Sequence, residues 1–138
     1  MNSMQYSPPV STLRTLGNAH NIQNWDEYVE LGLSEDHISE LITMVQDDAL
    51  HLAEPTSTDV WAPIHAWRTL GQLRAVEAIP ALLDQLYRID TYGHDWVNEE
   101  FPDVFAMIGP PAIPGVTQYL ANAAHGMFAR VGGRRIVS

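Results

Sequence analysis

The sequence predicts an all-α protein, a right-handed α-solenoid of stacked antiparallel helix hairpins with about seven to eight helices. Three observations lead to this fold class. A sequence segment that begins with tryptophan and contains Ala-Ile-Pro before a leucine occurs twice, over residues 61–86 and 96–120. Apolar residues within Ser34–Leu52 follow the i, i+3, i+4, i+7 spacing of an amphipathic helix. Signals for strands are weak, because β-branched runs are few and no Asn-Gly turn occurs.

The two copies of this segment are separated by the period of a helical repeat. Trp96 lies 35 residues after Trp61, whereas Leu120 lies 34 residues after Leu86. The difference of one residue falls in the turn between two helices, where a structural repeat absorbs it. A repeat of about 35 residues with two amphipathic helices is typical of an α-solenoid, since one hairpin cannot bury its apolar face alone and stacked hairpins can.

Capping residues and glycines divide the rest of the chain into helices. A short helix is predicted over Ser11–Leu16 with Gly17 as its left-handed stop, another between Asn24 and Gly32, and a long helix over Ser34–Leu52. Two later helices contain proline near their starts, Pro63 and Pro80. These prolines are expected in the first turns, where the missing N–H costs no hydrogen bond.

Two places depart from the regular pattern. Pro102 falls inside the helix expected in the second copy, which predicts either a helix start near Asn98 or a kink. The pair Gly132-Gly133 stops a helix and leaves the last repeat half made. We therefore expect self-association to a homo-oligomer through the uncapped C-terminal end. We expect a flexible tail at 1–10, a single helical-repeat domain at 11–131 and a flexible tail at 132–138.

The charge of the chain limits its partners. Seven arginines, no lysine and 17 acidic residues give a formal net charge of −10. Three of the arginines lie in the last nine residues, and no acid follows Asp103. A body this acidic repels phosphate groups, which argues against nucleic acid and anionic membranes and favours a basic protein partner or cations. Solubility alone also explains an acidic surface.

The location of the protein is predicted from what the sequence lacks. It contains no cysteine, which excludes disulfides and thiolate metal sites and is compatible with a reducing compartment. No window reaches the roughly 18 uninterrupted apolar residues of a membrane span. The first ten residues lack the basic and apolar regions of a secretory signal. We therefore expect a cytoplasmic protein without a membrane partner.

The second half of each repeated segment resembles a known family of repeats. Leu70-Gly71 is followed by AIPALLDQL, and Ile108-Gly109 is followed by AIPGVTQYL. These segments resemble HEAT-like repeats, especially the short bacterial kind grouped with phycobilisome-lyase repeats, over roughly residues 24–131. The family includes scaffolds, chaperone-like assembly factors and lyase subunits. The resemblance therefore implies one alternative function, a lyase- or chaperone-type subunit acting on a tetrapyrrole-bearing protein.

The function that we expect from the sequence is a non-enzymatic protein–protein interaction or scaffold module with no cofactor. No GxSxG, HExxH or glycine-rich phosphate motif occurs, so no catalytic residue is assigned. The inner helices of the repeats would line a shallow concave surface for a protein partner. The candidate partner-binding residues are Asp47, Asp48, Trp67, Asp84, Arg88, Gln118 and Tyr119.

A metal site is a further alternative. His65 stacks near Glu100 if the repeats are in register, and His94 and Glu99 lie close to Glu100 in sequence. Histidine and carboxylate ligands together favour a divalent transition metal. Acids at the start of a helix need no metal to explain them, however, because they interact favourably with the helix dipole.

Overall fold

The computed structural model describes residues 6–86 and 95–121 of the chain. In these residues it contains seven α-helices and no strand, which confirms the all-α class. The helices are α1 (Asp26–Glu30), α2 (Ile38–Val45), α3 (Asp48–His51), α4 (Ala62–Gln72), α5 (Ile79–Asp84), α6 (Asp95–Ile108) and α7 (Ile113–Ala121). Short 3₁₀-helices join them, at Val10–Arg14, Ala19–Asn21, Glu35–His37, Asp59–Trp61, Val76–Ala78 and Pro110–Ala112. The predicted C-terminal tail at 132–138 lies outside the described residues.

Contacts divide the chain into two compact units, Met1–Leu73 and Arg74–Ser138. The first unit is built around α4, which packs against α1, α2 and α3. Every residue from Ala62 to Gly71 is buried. A helix that is enclosed on all sides buries its polar side chains as well as its apolar ones, and those polar groups then need partners inside the protein.

In the first unit, the predicted stops at Gly17 and Gly32 and the predicted cap at Ser34 are confirmed, whereas the helix expected over Ser11–Leu16 is a 3₁₀-helix over Val10–Arg14. Gly17 and Gly32 have φ of +74° and +100°, the left-handed conformation that glycine adopts without strain. The Ser34 side chain caps the 3₁₀-helix that leads into α2. Pro63 lies in the first turn of α4, as Pro80 does in α5 of the second unit.

The single long helix predicted over Ser34–Leu52 is wrong, because the chain breaks between α2 and α3. Asp47 has extended backbone, with ψ of 99°, and its side chain accepts a hydrogen bond from the backbone N–H of Ala49. His51 Nε2 donates to the carbonyl of Val45, 2.6 Å away, near the end of α2. The break exchanges helical hydrogen bonds for these local side-chain bonds, which is how aspartate competes with a continuous helix.

In the second unit, the repeated Ala-Ile-Pro folds the same way twice. Ala78 donates its N–H to the carbonyl of Ala75, and Ala112 donates to the carbonyl of Gly109, each at 2.9 Å. The isoleucine that follows begins a helix in both copies, α5 and α7. The isoleucines differ in exposure, however, since the first, Ile79, is 7% exposed and the second, Ile113, is 49% exposed.

The helices of the second unit approach closely at a glycine. A Cβ atom added to Gly115 of α7 would lie 2.7 Å from Cδ1 of Leu83 in α5, nearer than ordinary van der Waals contact. In α6, Phe101 and Phe105 pack edge to face with ring centroids 5.9 Å apart. The helix starts at Asp95 and runs through Pro102, so the start expected near Asn98 is wrong. Burial of Pro102 and of its phenylalanine neighbours offsets the lost hydrogen bond.

Within residues 6–86 and 95–121, no helix is both long enough and apolar enough to cross a membrane.

Candidate functional site

A polar cluster lies inside the first unit, on the enclosed helix α4. His65 is fully buried, and Nδ1 of its ring is 2.7 Å from the hydroxyl of Tyr28 on α1. Nε2 of the same ring is 2.7 Å from the carbonyl oxygen of Gly17. One turn later, Arg68 is 4% exposed, and its NH1 group donates to the Tyr28 hydroxyl at 3.2 Å. The cluster therefore connects α4 to α1 and to the chain segment before α1.

These contacts set two of the hydrogen-bonding roles in the cluster. A carbonyl only accepts, so Nε2 of His65 carries the proton that it donates to Gly17. The Tyr28 hydroxyl accepts from Arg68, and the same hydroxyl is hydrogen-bonded to Nδ1 of His65. Arg68 also donates to the carbonyls of Ala19 and Ile22, and its guanidinium lies 4.9 Å from the centre of the Trp25 ring.

The residues of the predicted metal site belong to two different units of the chain. His65 is used in the buried cluster of the first unit, whereas Glu99 and Glu100 belong to the second unit. On α6, Glu99 is exposed and Glu100 is 8% exposed. His94 lies outside the described residues. In the part of the chain that the structure describes, no group of three or more histidine, aspartate and glutamate side chains is placed to hold a metal ion.

Of the acids predicted to face a partner, Asp47 has a structural role. One carboxylate oxygen accepts from Ala49, and the other accepts from the hydroxyl of Tyr6, 2.7 Å away. Burial and then the bond to Asp47 raise the pKa of Tyr6 above its ordinary value. Asp48, in the first turn of α3, is exposed.

The other predicted partner-binding residues fall in three groups. Asp84 is exposed at the end of α5. Trp67 is fully buried and is not part of the surface, because α4 is enclosed by its neighbours. Arg88 lies outside the described residues, and Gln118 and Tyr119 belong to α7 with side chains outside the described set.

A surface groove that the sequence did not predict is lined by α1, by the segment that connects α1 to α2 and by the residue that follows α4. We call it the α1–α2 groove, and its lining residues are Val29, Leu33, Ser34, Glu35, Asp36 and Leu73. It is an open depression with a volume of about 390 Å³. The Val29 side chain is 48% exposed, whereas Leu33 is 1% exposed and forms part of the packed core. The groove therefore combines an apolar floor with carboxylates.

The local backbone holds the groove in a defined shape. Gly32 turns the chain after α1, and its φ of +100° would strain any other residue. The Ser34 N–H donates to Nδ1 of His37 at 3.0 Å, and the Ser34 hydroxyl accepts from the N–H of Asp36. This reciprocal capping fixes Glu35 and Asp36 in the first turn with both side chains exposed. The signal in the sequence was the capping residue Ser34, which we interpreted as a helix start alone.

Comparison of the chain with models of protein families, with curated proteins and with solved structures finds no match in any of the three.

Proposed function

We propose that the protein is a non-enzymatic interaction module that binds a basic protein partner through its acidic surface. The observation that carries this proposal is the imbalance of charge on the described surface. Asp26, Glu27, Glu30, Glu35 and Asp36 are all exposed, and in the described residues none of them has a cationic partner. Exposed acids without cations attract a positively charged surface and steer its approach.

The arginines that the structure describes do not balance these acids. Arg14 forms two hydrogen bonds of 3.0 Å with Asp59, and these bonds raise the pKa of Arg14 above its ordinary value. Arg68 is buried in the polar cluster. Arg74 is exposed, at the start of the second unit. The arginines of the described residues therefore leave most of this negative charge unbalanced.

Exposed apolar side chains next to these acids provide a second means of binding. Val29 in α1 is 48% exposed, and Leu31, which follows α1, is 40% exposed. Interfaces combine apolar contacts at the centre with charged groups at the rim. We also propose that the helices stack as HEAT-like repeats, which is supported by the two Ala-Ile-Pro segments that fold alike. Proteins of this architecture use an extended face for binding.

The experiment is affinity capture with the tagged full chain, followed by titration calorimetry with the purified partner. The proposal expects a partner of basic isoelectric point whose affinity falls as salt is raised, because screening weakens exposed charge pairs. Binding that does not change with salt would contradict the acidic-surface proposal. Failure to retain a partner, together with turnover of a small molecule, would overturn the proposal. Titration with a bilin tests the lyase alternative, and we expect no change in its absorbance spectrum.

A further inference from the structure

We propose that the α1–α2 groove is the docking site for a basic amphipathic segment of the partner, one with apolar side chains next to lysine or arginine. This inference rests on the interaction function proposed above and names the surface and the chemistry of the ligand. It follows from the apolar floor, the charges around that floor and the fixed shape of the groove.

The floor of the groove favours a protruding apolar side chain. Val29 is 48% exposed, although Tyr28, the preceding residue on the same short helix, is fully buried. An apolar side chain from a partner would remove Val29 and Leu73 from water, which is favourable in proportion to the area covered. The volume of about 390 Å³ is near the lower end of small-molecule pockets. Such pockets enclose most of their ligand, however, whereas this depression is open and fits a side chain from a larger surface.

The charges around the floor favour a cation next to that apolar group. Glu35 and Asp36 line the groove, and three of the five residues of α1 are acids. Asp26 lies on the same face of α1 as Val29, three residues before it, and it is four residues from Glu30. Like charges at that spacing repel each other in the free protein. A lysine or arginine of the partner relieves this repulsion, so the charge that weakens the free helix strengthens the complex.

The shape of the groove does not have to form when the partner binds. The Ser34–His37 capping and the turn at Gly32 fix one wall, and the buried Tyr28–His65 pair fixes α1. A surface that is already ordered loses little conformational entropy on binding. The same negative charge repels phosphate groups, so a nucleic acid or an anionic membrane is the wrong partner for this groove.

The test uses the full-length protein and a fluorescein-labelled synthetic peptide of roughly 15 residues, long enough to form a helix when bound. The peptide has leucine at i, i+3, i+4 and i+7 and lysine at most other positions. Two control peptides are a scrambled sequence of the same composition and a version with glutamate in place of lysine. Fluorescence anisotropy at low and high salt measures the affinity. We expect the peptide with the amphipathic leucine spacing to bind more tightly than the scrambled peptide, and we expect the glutamate peptide not to bind.

Matched variants locate the binding site. Glu35→Gln combined with Asp36→Asn should weaken binding about three- to tenfold at low salt and less at high salt, because two exposed charge contacts are lost. Val29→Ser should weaken it about threefold or more through the loss of apolar contact. The controls are Glu54→Gln and Leu52→Ser, exposed residues of the same unit that do not line the groove. The controls should bind within about twofold of the wild type. Circular dichroism and thermal unfolding verify that each variant is folded.

The outcomes separate this inference from the function on which it rests. Binding that is weakened by the groove variants and not by the controls supports the groove. Tight binding that all variants share equally overturns the groove and keeps the interaction module. If the wild-type protein binds its captured partner but does not bind the peptide, the groove proposal is contradicted and the interaction-module proposal is kept. Amide shifts in ¹H–¹⁵N spectra provide an independent map, and changes confined to residues away from 29–36 and 73 would contradict the proposal.

Discussion

The hydroxyl of Tyr28 lies 2.7 Å from Nδ1 of His65, although the two residues are 37 positions apart in the chain. This bond fixes α1 against α4, because Tyr28 points into the core from one and His65 belongs to the other. The next residue on α1, Val29, faces the α1–α2 groove. The buried pair therefore holds the helix that presents the proposed docking surface.

The first prediction is that Tyr28→Phe destabilises the protein by about 1–3 kcal/mol. The aromatic ring is kept, but Nδ1 of His65 and one N–H of Arg68 lose their shared partner inside the core. Urea unfolding measures the change, and an unchanged m-value would show that the native state stays compact. A loss below about 0.5 kcal/mol would mean that water or a neighbour replaces the hydroxyl. Long-range ¹H–¹⁵N spectra test the Nε2–H tautomer of His65 separately.

The second prediction compares two neighbouring acids. Asp47→Ala should cost about 1–2 kcal/mol, because it removes the cap of α3 and the acceptor for Tyr6 together. Asp48→Ala should cost less, since Asp48 is exposed and an exposed charge contributes little to stability. Thermal unfolding of both variants under the same conditions measures the difference. Equal losses would contradict the structural role that the contacts give to Asp47.

The features that could be predicted from sequence are those set by local rules. Gly17, Gly32, Ser34 and Pro63 all have the conformations expected of them, because a left-handed turn, a side-chain cap and a missing N–H act within a few residues. The Ala-Ile-Pro segments also fold alike, since the proline in each is the second residue of its helix, where its missing N–H costs no hydrogen bond. In these places, the local preference and the tertiary structure agree.

The features that sequence did not predict depend on residues that are distant in the chain. Periodicity over Ser34–Leu52 is helical throughout, and the break at Asp47 depends partly on Tyr6, 41 residues away. Histidine is a common metal ligand, but the two ring nitrogens of His65 form hydrogen bonds, one with Tyr28 and the other with Gly17. The groove likewise needs Leu73 next to Val29, a juxtaposition that exists only after α4 has packed against α1.

The third prediction concerns alkaline pH. The pKa of Tyr6 is raised above 10.0, first by burial and then by its bond to Asp47. Above pH 10, an unfolded Tyr6 loses its proton while the folded one keeps it, so the unfolded state is favoured. The contribution of Tyr6 to stability is therefore complete below pH 10 and is lost as the pH rises beyond it. Unfolding of Tyr6→Phe and the wild type between pH 8 and 11 measures the effect, and the free-energy difference between them should shrink only at the alkaline end.

The fourth prediction is that Arg74→Gly stabilises the protein by about 0.5–1 kcal/mol. Arg74 has φ of +54°, a left-handed conformation that strains a residue with a Cβ atom, and it follows the end of α4. Its side chain is exposed, so little packing is lost. Glycine gives back part of the gain because it is more flexible in the unfolded chain. Arg74→Ala, which keeps the strain and removes the charge, is the control. A gain with alanine equal to that with glycine would assign the effect to charge.

The fifth prediction concerns self-association, which we proposed for the C-terminal end. Ile113 in α7 is 49% exposed, whereas its repeat counterpart Ile79 in α5 is 7% exposed. If a second copy covers Ile113, then Ile113→Ser should raise the dissociation constant of the oligomer roughly fivefold or more, because apolar area is no longer buried there. Sedimentation velocity over a range of concentrations measures this. Val76→Ser is the matched control, since Val76 is 47% exposed in the same unit and does not belong to α7. A wild-type protein that is monomeric at every concentration, or an equal effect of both substitutions, would contradict an interface at Ile113.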